Sequence, residues 1–135
     1  MISIEEGIVY YLTHFSGLTA LISTRTYPLK LPQGCTLPAL TYQRISTPRE
    51  LTHDQQAGGL AMPRFQFTAY GTKFADAKAV INQVRAALNG YKGSFGTGTK
   101  TVKVWGSLSA NEQDNYDPDS GLYWTMADYF IHHEE

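Results

Sequence analysis

Near its C-terminus the chain carries the stretch LYWTMADYFIH, residues 122 to 132. Leu122, Trp124, Met126 and Phe130 fall on one alternation, and Tyr123, Ala127, Tyr129 and Ile131 on the other. Successive side chains of an extended strand leave on opposite faces. A strand over these residues is therefore apolar or aromatic on both sides. It sits centrally in a sheet, or its second face is covered by something else. The remaining elements have to be arranged around it.

Three more strands and two helices can be read with it. The run ALTYQRI after Pro38 is a strand, and in RFQFTAY, residues 64 to 70, Phe65, Phe67 and Ala69 alternate with Arg64, Gln66, Thr68 and Tyr70. A fourth strand, TVKVWGSLS, starts at Thr101. Ser3 and Glu6 form a capping box, and Ile4, Ile8, Tyr11, Leu12 and Phe15 recur at helical spacing, which predicts a helix over 4–16 stopped by Gly17. Thr72 caps a second helix running to Asn89, with Phe74, Ala77, Ile81, Val84 and Leu88 as its apolar stripe and Gly90 as its stop. Pro28, Pro32 and Pro38 make residues 18–38 an ordered crossing loop, with one short helical turn at Thr19 to Ser23. Residues 47–61 and 110–121 are polar and read as long loops. The expected fold is α+β, a four-stranded, mainly antiparallel sheet with two helices packed on one face, in one domain spanning 1–135. Two helices leave the far face of that sheet bare, so a neighbouring subunit is expected to meet it.

Composition removes several function classes. At 42% hydrophobic and 17% charged residues, the chain of 135 residues is globular. Eleven basic residues balance twelve acidic ones, and no basic run exceeds two residues, whereas a phosphate-binding protein needs a basic face. No sequence-specific nucleic-acid binding is expected. A single cysteine forms no internal disulfide and suits a reducing cytoplasm. Glu5 and Glu6 without a basic lead do not read as a signal peptide, and no apolar run approaches the roughly 20 residues of a membrane span.

Four features could carry chemistry, and each has a plainer reading. Cys35, between Pro32 and Pro38 and beside Gly34, has no histidine tied to it by a local signature and reads as a small filler at a strand entry. In GSFGTGTKT, Gly93 and Gly98 have phosphate-loop spacing, but Thr99 stands where the lysine belongs and the strand follows instead of preceding. His132 and His133 are adjacent on a strand and point to opposite faces, so they cannot share one ion and, with Glu134 and Glu135, read as a solvated C-terminal end. Asp114, Asp117 and Asp119 lack the length and terminal glutamate of a calcium loop and read as a solvated turn. No catalytic residue, cofactor site or metal site is assigned, and no enzyme is expected.

The order of motifs nevertheless has a counterpart. An amphipathic helix, then LPQG and LPALTYQ, then RFQFTAYG, then KFADAKAVINQVRAALNG, then GLYWTMADYFIHHEE, resembles the small tail completion, or tail terminator, proteins of long-tailed bacteriophages and prophages over nearly the whole chain. The resemblance implies a structural virion protein of the tail-neck region, assembled in the host cytoplasm. It also implies a ring, usually a hexamer, that caps the tail tube, stops its growth and joins the filled head. Its partners would be further copies of itself, the tube protein and the head-tail connector, with DNA crossing a near-neutral channel. Arg49, Glu50, His53 and Asp54 in the 47–61 loop, with Trp124 and Tyr129 on the last strand, are the candidate interface residues. The alternatives are a head-side neck or connector-joining protein, and a small ligand-binding α+β domain.

Overall fold

The computed structural model describes residues 2–47, 49–51 and 57–134, with backbone alone at 49–51 and 57–60. Its N-terminus follows the capping box. Ser3 Oγ accepts a hydrogen bond from the Glu6 backbone N–H at 3.2 Å and donates to the Glu6 carboxylate at 3.3 Å. Helix α1 (Ile4–Thr13) begins there. It ends earlier than the spacing predicts, because the chain turns at His14 and restarts as α2 (Ser16–Ile22), with Gly17 inside the second helix. The break lets Leu18 and Ile22 enter the same core as Ile4, Ile8 and Leu12.

Strand β1 (Thr26–Pro28) then runs parallel to β2 (Ala39–Ser46), with Thr26 opposite Leu40. The polar segment after β2 is not simply a loop. Strands β3 (Arg49–Leu51) and β4 (Ala57–Ala61) pair with each other and prolong the hairpin of β2 with β5 (Arg64–Gly71). Helix α3 (Phe74–Leu88) follows, entered at Lys73 with no side-chain cap where Thr72 was expected to serve. Gly90 just beyond it has φ +75°, the left-handed geometry that ends helices and suits glycine.

The glycine-rich segment forms a short strand, β6 (Gly93–Thr97), which turns into β7 (Lys100–Asp117). β7 runs straight through the residues that read as loop from 110 onward. Its partner is β8 (Leu122–Glu134), in register from Asp117 opposite Leu122 to Val104 opposite His133, with bulges at Trp105 and Ala110.

The four-stranded, two-helix expectation is therefore corrected. Among the described residues eight strands form one sheet, and since β3 continues β2 and β4 continues β5 alongside β8, it is six positions wide: β1, β2/β3, β5/β4, β8, β7, β6. It is mixed, because β1 is parallel to β2, and three helices lie on it. α1 touches β1 at one edge and β6 at the other. A flat sheet of six strands is about 24 Å across, and a helix with its side chains about 10–12 Å. The sheet curls around the helices into a half-barrel.

Inside the curl lies one core, from Ile8 and Leu12 through Leu40, Phe65 and Phe67 to Val84, Phe95 and Ile131. Two hydrogen bonds pin α3 in place: Tyr11 Oη donates to the Ala87 carbonyl at 2.6 Å, and Thr125 Oγ1 to the Ala77 carbonyl at 3.3 Å. β8 is central, as its two apolar faces require. Tyr129, Ala127 and Ile131 face the helices and are fully buried, while no described element covers the face bearing Trp124, Met126 and Phe130.

Candidate interaction surface

Register places the residues of the open face. Phe130 lies opposite Arg64 on one side and Leu108 on the other, and Trp124 opposite Tyr70 and Asn115. Leu108 is 57% exposed and Ile45 and Trp105 nearly half exposed, a costly arrangement for a monomer in water. Asp128 is the charged residue in this row. Arg64 donates to its Oδ2 from Nε at 3.0 Å and Nη2 at 2.7 Å, and the guanidinium sits 5.7 Å from the centre of the Phe130 ring. Asp128 Oδ1 is buried without a hydrogen-bond partner among the described residues. A carboxylate is held desolvated by one arginine on a face that no described element covers.

At the far end of this face, where β7 turns into β8, there is a cleft of about 530 Å³. Tyr70 and Trp124 stack with centroids 6.4 Å apart and form its floor, and Tyr116, Asp117, Pro118 and Leu122 form its rim. The turn itself is tightly closed. The Asp117 carboxylate accepts from Asp119 N–H at 3.1 Å and from Ser120 Oγ at 2.9 Å, and the Gly121 N–H donates to the Asp117 carbonyl at 2.8 Å. Of the acidic residues read as a solvated turn, Asp117 thus lies in the wall of an aromatic cleft. The sequence signal was the cluster of Tyr116, Tyr123 and Trp124 flanking PDSG, which the strand pattern alone did not single out.

Other candidates fall elsewhere. Arg49 and Glu50 lie on the backbone of β3, and His53 and Asp54 fall outside the described residues. Tyr129 sits in the core, edge-on to Phe67 with centroids 6.0 Å apart, so its ring is not on the surface. Burial pushes its phenol up to about 12; the Glu112 carboxylate adds to the rise and Arg85 opposes it. Tyr11 is raised by burial and then by Tyr91, and Tyr42 by burial and then by Glu5. Cys35 is a free, half-buried thiol. His133 is buried and its Nδ1 lies 2.7 Å from the Glu134 carbonyl, so the end of β8 is not the solvated tail that was expected. Among the described residues no three His, Cys, Asp or Glu side chains converge on a metal-sized space, and no helix is long and apolar enough to cross a membrane.

The family whose model is described as "Tail completion protein gp17" matches residues 7–134. The chain belongs to this family. Members of the tail completion family are structural proteins of the phage tail, not an enzyme class, and this chain is a tail-associated virion protein of that kind. No curated protein sequence matches it. Among solved structures, a chain of the "Virion of native gene transfer agent (GTA) particle" shares its fold with a TM-score of 0.73 at 18% identity, over 94% of this chain and 92% of that one.

Proposed function

We propose that this tail completion protein assembles into a ring, a hexamer, which caps the end of the tail tube, stops its growth and presents the surface to which the filled head joins. The family match over residues 7–134 carries the reading. Physical features support it. A ring subunit needs two different surfaces for its two neighbours, and the open sheet face and the β7–β8 turn supply exposed apolar area that a lone domain has no use for. Near-neutral charge lets DNA cross a channel without being held. Arg49, Glu50, His53 and Asp54 of the 47–61 segment are proposed to contact the tube or a neighbour, and Trp124 to lie at a subunit contact. The Tyr129 ring is internal and takes no part in that contact.

The test is electron microscopy of lysates from a phage or prophage lacking this gene. Overlong tails beside unattached, DNA-filled heads are expected. Tails of normal length beside such heads would assign the protein to the head side of the joint. Ordinary infectious particles would overturn the proposal.

A further inference from the structure

The loop after β1 presents an unusual shape. Leu29 has φ +64° and lies 68% exposed. Lys30 N–H donates to the Pro28 carbonyl at 2.7 Å, closing a three-residue turn centred on Leu29, while Leu29 N–H donates to the Tyr42 carbonyl at 2.9 Å. A three-residue turn with positive φ at its centre is rare and strained, and for a leucine doubly so. Strain of this kind persists where the surroundings enforce it, and it clusters at ligand and partner contacts. Here it pushes a leucine and a lysine into water between two exposed prolines, Pro28 and Pro32.

The cleft of about 530 Å³ has the opposite character. It is concave and aromatic, with the Asp117 carboxylate in its wall and Asp119 in the same turn. Aromatic faces accept proline rings and cations, and a carboxylate at the rim pairs with an ammonium. The two surfaces lie apart on the sheet: the loop flanks β1, the outermost strand on one side, and the cleft spans β5, β8 and β7. Along the strands they are offset, since Leu29 is bound at Tyr42, which lies opposite Phe67, three residues along β5 from Tyr70 of the cleft.

We infer that the Pro28–Pro32 loop of one copy docks into the Tyr70–Trp124 cleft of the next, with Leu29 over the aromatic floor and Lys30 against the carboxylates of the turn. This rests on the ring reading and specifies its contact. The contact joins two different surfaces, so it propagates head to tail, and it closes into a ring if the rotation between copies allows.

Two variants of the full chain test it, each losing one half of the contact. Leu29→Asp leaves the fold untouched, because the side chain is exposed and aspartate tolerates positive φ better than leucine does. Trp124→Ala removes the cleft floor, and a matching thermal melt guards against misfolding. Native mass spectrometry of each variant should show association weakened at least about tenfold, the loss of one well-buried leucine or aromatic contact. An equimolar mixture should then give one-to-one dimers and nothing larger, since one intact loop and one intact cleft remain. Multimers that tolerate Leu29→Asp, or a mixture that behaves like its components, would overturn the docking and leave the ring standing. Copy number in purified particles separates the two ideas. A single copy per particle would overturn the ring and the docking together, and several copies incorporated equally well with Leu29→Asp would overturn the docking alone.

Discussion

Two tyrosine hydroxyls in this molecule should respond to the same deletion with opposite signs. Tyr129 is fully buried, and its Oη has no hydrogen-bond partner among the described residues. A buried hydroxyl left unpaired costs about 1–3 kcal/mol, which phenylalanine does not incur while filling nearly the same space. Tyr129→Phe should therefore stabilise the fold by about 1 kcal/mol, or about 3–5 °C in Tm for a domain of this size. Tyr11 is the control. Its hydroxyl donates to the Ala87 carbonyl at 2.6 Å, so Tyr11→Phe removes a bond and leaves a half-buried carbonyl short of a donor. That change should destabilise by about 1 kcal/mol. Urea unfolding followed by circular dichroism gives both values, with unchanged m-values showing that the same surface is exposed. If Tyr129→Phe destabilises by as much as Tyr11→Phe, the Tyr129 hydroxyl has a partner and the reasoning is wrong.

The raised Tyr129 phenol makes a further prediction about pH. Its folded pKa of about 12 lies above the ordinary value of 10.0, so its neutral form is the one the fold favours. The associated stability is complete below pH 10 and is lost as pH rises through the folded value, by roughly 3 kcal/mol at most. Tyr129→Phe should flatten that alkaline limb in melts between pH 9 and 12. Arg64→Ala strands the carboxylate of Asp128, whose side chain is only 6% exposed. A loss of roughly 2 kcal/mol in urea unfolding is expected, below the 3–5 kcal/mol of a fully buried pair because Arg64 is partly solvated. Gly7→Ala replaces a poor helix former in α1 with the best one. A Cβ there would lie 2.7 Å from Val102 Cγ1 and 2.9 Å from Phe95 Cβ, so overpacking of about 1–3 kcal/mol should outweigh the gain of about 1 kcal/mol in helix propensity and lower the Tm.

Reading the sequence worked where burial writes a period into it. The capping box of α1, the alternation of β5, the stripe of α3 and the double-faced β8 all carry residues that the core sorts by side, and each lies close to where the pattern puts it. It failed where nothing is sorted. From Ser109 to Tyr116 every residue of β7 is exposed, so no alternation records that this is a strand. What holds it extended is the backbone ladder to β8, a contact with residues later in the chain. The β3–β4 pair is held likewise by β8 and by each other, and β6 is a strand despite its glycines because β7 lies beside it.

The sequence by itself determined the kind of protein: a globular α+β domain with a central strand apolar on both sides, no recognisable catalytic constellation, and an order of motifs shared with a family of tail proteins. Only the tertiary structure decided the width of the sheet, its curl around three helices, and the meeting of Tyr70 with Trp124 and the Asp117 turn in one cleft. Periodicity reports which side of an element is buried, a local property. Which strands are neighbours, and which side chains from distant strands share a surface, depends on pairing between segments far apart in the chain, and no local pattern encodes that.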